Sequence, residues 1–281
     1  MAGGSDGRPP GKVVAIAGLK GGCGKTTLAI GLAGVLVEAG LATALVDVDP
    51  AGAAIAGVRR GPAGLLRRAV PLRGRAALPA WLEGLAALRR SAELVILDLP
   101  PADPLPLATA ALTSELVLLP VAPTALDLAA ARTTIGWLER ARAGRPDGRP
   151  QLLAVPSRIA APDPAARAPL AAIEALGLPL TPPLRLREGH DRAYREGLPP
   201  SVAAPGSAEH RELRAIARAV CETLGLAARL PDAGPGAVDA ASAPVRTAYL
   251  DEPPGARGPL DLGAYRRRWR DRLLPFFGGR R

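Results

Sequence analysis

One octapeptide constrains this chain more than any other feature. Lys20-Gly21-Gly22-Cys23-Gly24-Lys25-Thr26-Thr27 stands between a short apolar run, Val13-Val14-Ala15-Ile16-Ala17, and a stretch whose apolar positions Leu28, Leu32, Val35, Leu36 and Ala39 keep helical spacing up to Gly40. An apolar run without alternation reads as a strand buried on both faces, the habit of parallel sheets. Glycines between such a strand and a helix let backbone N–H groups approach phosphate oxygens with no Cβ in the way. The helix start adds about half a positive charge. In such a loop Lys25 would bridge terminal phosphates and the Thr26 hydroxyl would ligate Mg²⁺. Strand, glycines, lysine, hydroxyls and helix agree, which separates a phosphate loop from an inert glycine turn. The pattern G-x-x-x-x-G-K-[ST] nevertheless fails at its first glycine, where Leu19 stands, and a second lysine, Lys20, follows.

That second lysine is conspicuous against the composition. The chain carries 36 Lys+Arg against 26 Asp+Glu, a net charge of +10, and its lysines are only Lys12, Lys20 and Lys25. Where arginine is so dominant, a lysine marks a place where a compact point charge is needed rather than a flat fork. Further short apolar runs follow at Ala44–Val46, Leu94–Leu97, Leu116–Leu119 and Leu152–Val155, separated by helical stretches at about 126–142 and 164–176. Polar residues cluster where the runs end, as in Asp47-Val48-Asp49-Pro50 and Asp98-Leu99-Pro100-Pro101. Strand and helix alternating in this way predict an α/β fold, a doubly wound, mostly parallel sheet with ligands at the carboxyl ends of its strands. Residues 211–226 read as a closing helix.

Residues 1–10 read as a flexible N-terminus and 11–230 as the folded domain. Residues 231–260 hold six Pro, four Gly and seven Ala without periodicity, which reads as a disordered linker. Residues 261–281 form a basic aromatic tail, in which Leu262, Tyr265, Trp269 and Leu273 share one stripe of a short helix among arginines. Its aromatics could stack on bases, lie on an anionic membrane, or dock on protein. No apolar run reaches the ~18 residues of a membrane span. Two cysteines, Cys23 and Cys221, make no disulfide framework or four-thiolate site, which points to a reducing, cytoplasmic setting. Cys23 reads as a space-filler and Cys221 as core, while His190 and His210 lack partners at metal or triad spacing and read as surface residues.

The loop with its extra lysine resembles the deviant Walker A ATPases of the ParA/MinD group, a match extending over about residues 11–226. Pro120-Val121-Ala122-Pro123-Thr124-Ala125-Leu126-Asp127-Leu128 is similar to a segment of the short plasmid-partition ParA type, on the subunit-contact side. The resemblance implies the P-loop NTPase fold, ATP and Mg²⁺ as cofactors, and ATP hydrolysis. It implies that Gly21, Gly22, Cys23, Gly24, Lys25, Thr26 and Thr27 cradle the phosphates, and that Lys20 reaches the phosphates of a second subunit across a nucleotide-sandwich homodimer. Asp49 then orients the attacking water, Asp98 joins Thr26 at the metal, Asp47 supports the metal shell, and Arg158 lies near the adenine. Ala51 stands where the family usually has Gln.

Relatives of this kind bind DNA without sequence preference through late basic residues. The resemblance assigns that role here to Arg185, Arg187, Arg192, Arg195, Arg214 and Arg218. The function it implies is a cytoplasmic, nucleoid-associated ATPase that positions a plasmid, chromosome or protein-cluster cargo and is released by a cargo-bound activator of ParB type. Two alternatives stay open: a MinD-like ATPase held to the membrane by its tail, and a metabolic P-loop ligase or kinase.

Overall fold

The computed structural model describes residues 9–159, 167–226 and 230. The expected linker and tail, 231–281, lie outside the described residues, as does most of the expected N-terminal arm. Among the described residues, strands β1 (Lys12–Ile16), β2 (Thr43–Asp47), β3 (Leu65–Ala69), β4 (Leu94–Asp98), β5 (Leu116–Val121), β6 (Gln151–Ile159) and β7 (Leu184–Arg185) form one sheet in the order β3-β2-β4-β1-β5-β6-β7. Every neighbouring pair is parallel, so the sheet is wholly rather than mostly parallel. Strand β1 has β4 on one side and β5 on the other. The connection from β1 runs to β2 toward one edge and that from β4 to β5 toward the other, and the crevice beyond the carboxyl ends of β1 and β4 is where such sheets bind ligands.

The central strands β1, β4 and β5 are mainly apolar because both faces are covered. Val13, Ala15 and Ala17 of the first strand segment pack with Trp81 and Leu85 of α3 (Leu78–Ser91), Leu107 of α4 (Pro104–Thr113), and Leu138 of α5 (Ala125–Ala143). Val14 and Ile16 face the opposite core, with Leu28 and Leu32 of α1 (Lys25–Glu38) and Leu213 and Ile216 of α9 (Ala208–Thr223). Helix α1 is buried along most of its length, and Gly34 lets it approach its neighbours. A Cβ there would stand 2.5 Å from Pro199 Cβ and 2.6 Å from Ser201 Oγ, at α8 (Pro200–Ala203).

Several elements depart from the sequence reading. Helix α9 is capped by Ser207, whose hydroxyl accepts the His210 N–H at 3.2 Å, and it ends at Thr223, short of the expected 226. Strand β3 was hidden by Arg67 and Arg68; Arg67 is buried and donates to the carbonyls of Val58 and Gly61. Helix α6 (Arg167–Glu174) falls within the expected 164–176 helix and ends two residues before its expected end. The histidines are not surface residues. His210 is buried, its Nε2 2.7 Å from Glu38 Oε2 and its Nδ1 accepting the Gly206 N–H at 2.9 Å. His190, on α7 (Glu188–Glu196), has both ring nitrogens shielded from solvent. Cys23 and Cys221 are both buried.

Candidate nucleotide-binding site

The loop after β1 is shaped by two glycines and braced from outside by the end of β6. Gly22 and Gly24 have φ of +76° and +99°, a region costly for any residue with a Cβ. Gly24 is constrained twice, since a Cβ on it would lie 2.8 Å from Ser157 Oγ. The buried Ser157 hydroxyl donates to the Cys23 carbonyl at 2.7 Å. Arg158 donates from Nη1 to the Gly22 carbonyl at 2.9 Å. Arg158 also adopts φ +56°, a strained conformation for an arginine of the sort that collects at functional sites. Its bond to the loop, and the whole bracing role of Ser157, escaped sequence reading.

The two loop lysines are held differently. Lys25 is buried, with its ammonium under the loop donating to the Lys20 carbonyl at 2.8 Å. The Lys20 side chain is 38% exposed, and its ammonium lies 2.5 Å from Asp127 Oδ2 on the first turn of α5. Thr124 caps that helix and also donates to the same Asp127 oxygen. Burial pushes the Asp127 carboxyl up, but the bonds from Lys20 and Thr124 outweigh it and hold it below the usual carboxylate range.

Carboxylates converge on the loop from neighbouring strand ends. Asp98, at the end of β4, accepts from Thr26 Oγ1 at 2.8 Å through Oδ2, while its Oδ1 is buried with no hydrogen-bond partner. Burial foremost pushes its carboxyl to about 7, the charges of Asp47 and Asp49 adding to this and the Thr26 bond and Lys25 opposing it. An orphaned, desolvated carboxylate oxygen beside a hydroxyl suits a hard divalent cation. Among the described residues no cluster of three or more His, Cys, Asp or Glu forms an all-protein cage; Mg²⁺ is ordinarily held by one or two carboxylates plus phosphates and water. Thr26 and Asp98 therefore fit Mg²⁺. The fully buried Asp47 does something else first. It accepts N–H groups of Asp49 at 3.1 Å, Ala54 at 2.7 Å and Ile55 at 3.2 Å, pinning the loop and the start of α2 (Ala53–Gly57). Asp49 is half-buried on that pinned loop and accepts the Ala51 N–H at 2.9 Å.

Beside the loop opens a cavity of about 390 Å³, with Gly22, Thr27 and Arg158 toward the phosphate side and Leu184, Leu198 and Tyr194 on its apolar wall. A volume of that order holds a nucleoside. Of the late arginines, Arg185 and Arg187 also line this cavity. Arg185 and Arg187 converge on Glu212 of α9 at 2.9 and 2.7 Å. Arg195 pairs with Asp191 at 2.9 Å and Arg214 with Glu38 at 3.3 Å. Arg192 is exposed and Arg218 half-buried.

Residues 14–230 match the family model of the CobQ/CobB/MinD/ParA nucleotide binding domain. The maintenance of carboxysome distribution protein A of Halothiobacillus neapolitanus is 32% identical over 187 residues, covering 66% of this chain and 84% of that protein. Among solved structures, the ATP complex of a Cyanothece McdA variant superposes with a TM-score of 0.61 at 18% identity, covering 77% of this chain and 97% of that one. The septum site-determining protein MinD of Pyrococcus horikoshii, complexed with Mg-ADP, gives 0.60 at 19% identity, covering 77% and 98%. The chain belongs to the CobQ/CobB/MinD/ParA family of nucleotide-binding proteins.

Proposed function

We propose that this chain is a ParA-like positioning ATPase that dimerises on ATP, binds DNA without sequence preference and releases it when a cargo-bound activator stimulates hydrolysis. The observation that carries the reading is the divergence of the two loop lysines. Lys25 is buried under the phosphate cradle, while Lys20 is turned away to Asp127. A cation outside its own cradle can reach a facing copy once its ion pair with Asp127 opens, and there it neutralises charge on the transferred phosphoryl group. Leu126, beside Asp127, is 74% exposed, an apolar side chain suited to being covered in that dimer. The carboxysome-distribution name of the relative favours a protein-built particle as cargo.

In this mechanism Lys25 and the loop N–H groups hold the phosphates. Mg²⁺, held by Thr26 and Asp98, supplies charge neutralisation when bound. Asp49, on the loop that Asp47 pins, orients a water for in-line attack on the terminal phosphorus; the bond to the bridging oxygen breaks as the new P–O bond forms, and the water's proton is given up to phosphate or solvent. ATP favours the dimer because the dimer binds it better, and a dimer gathers twice the phosphate contacts on DNA. The arginines proposed for DNA are Arg185, Arg187, Arg192, Arg195, Arg214 and Arg218, of which Arg192 and Arg195 are the most exposed. The test is retention of duplex DNA and pelleting with anionic liposomes, each with ATP and with ADP. ATP-dependent DNA retention supports the reading. Liposome binding alone would replace it with a membrane-positioning ATPase.

A further inference from the structure

The site's cavity and its Asp47–Asp49 loop lie on different elements, and one side chain belongs to both. Tyr194, on α7, lines the cavity, and its hydroxyl donates to the carbonyl of Ala53, the first residue of α2, at 2.9 Å. The next two N–H groups of that helix are those held by Asp47. The ring lies against Gly57 at the other end of α2, where a Cβ would stand 2.6 Å from Tyr194 Cε2. Two more bonds tie the same segments: Arg59 Nη2 donates to the Arg195 carbonyl at 2.6 Å, and the Arg60 N–H to that of Gly197 at 2.9 Å. Burial first, then the charges of Asp47 and Asp98, push the phenol pKa up, so the hydroxyl remains a donor at neutral pH.

We propose that Tyr194 is a positioning residue that couples occupancy of the cavity to the placement of Asp49. A helix of five residues has little stability of its own, and its position is set by tertiary ties. A ring with open space on one side lacks packing there. Filling the cavity supplies it and fixes the ring, and the hydroxyl passes that restraint to Ala53 and, through Asp47, to the loop bearing Asp49. The coupling rests on the reading of this site as an ATPase.

Tyr194→Phe removes the hydroxyl and keeps the ring, so packing survives. On the full chain, the expected results are ATP affinity within about twofold of wild type, kcat lowered about 3- to 10-fold with KM little changed, and loss of ATP-induced protection from hydrogen exchange at the amides of residues 53–57. The exchange experiment uses a non-hydrolysable ATP analogue with Mg²⁺ and reads coupling without turnover. A wild-type chain that hydrolyses ATP beside a Tyr194→Phe variant with equal kcat and equal protection overturns the coupling alone. A variant that loses affinity while exchange is unchanged shows a binding contact only, and also overturns it. A wild-type chain that binds no ATP overturns the ATPase reading itself.

Discussion

Lys25 and Lys20 differ by five positions and by what surrounds them, and that difference governs the first predictions. Lys25→Ala removes a buried ammonium from the phosphate cradle. Charge-assisted bonds contribute about 1.5–3 kcal/mol each, so ATP affinity measured by calorimetry is expected to fall about 100-fold. Lys20→Ala is expected to keep ATP affinity within about threefold and to abolish stimulated turnover; normal stimulated turnover would refute a role in trans. Asp98 gives a pH signature. Its folded-state carboxyl stands at about 7, above the ordinary carboxylate value of 3.8, so the nucleotide-free fold binds a proton that the unfolded chain has released. Its contribution to stability is complete below the ordinary value and is lost as pH rises toward about 7. Asp98→Asn is expected to flatten that slope and to raise the nucleotide-free Tm above pH 7 by a few degrees, roughly 2–5 °C, while abolishing the response to Mg²⁺. A variant with the wild-type slope would assign the titration to another group.

At the scale of elements, α1 carries the phosphate loop at one end and is fixed along its side by α8 and α9. Gly34→Ala improves helix propensity by about 1 kcal/mol, but its Cβ would meet the ring of Pro199 at 2.5 Å, and overpacking costs about 1–3 kcal/mol. Net destabilisation is expected by urea titration; a stabilised variant would show that α8 yields freely. The same elements show what could be read beforehand. Strands β1, β4 and β5 are apolar because helices cover both faces, so period and length announced them, as the glycines, Lys25 and Thr26 announced the loop. Strand β3 was concealed because Arg67 satisfies itself on the carbonyls of Val58 and Gly61. Ser157 and Arg158 were visible as residues, yet their hold on the loop spans more than 130 positions, which no local pattern carries. His210 is buried for a similar reason: its partner Glu38 lies on another helix.

For the whole molecule, charge governs the proposed binding to DNA. With a net charge of +10, binding is expected to weaken steeply with salt. Replacing Arg192 and Arg195 together by Ala should lower the slope of log affinity against log salt by about one for each phosphate left without its arginine. An unchanged slope would move the DNA surface elsewhere. The ion pair between Lys20 and Asp127 must open if Lys20 is to enter a facing subunit. The proposed dimer is therefore where lysine, helix and partner copy meet. Sedimentation velocity of the purified chain with Mg²⁺ and a non-hydrolysable ATP analogue, over a wide concentration range and against Lys20→Ala, reads it directly. A dimer is expected with the analogue, a monomer with ADP, and a weakened dimer for the variant. A wild-type chain that stays monomeric at every concentration with the analogue bound would contradict that expectation.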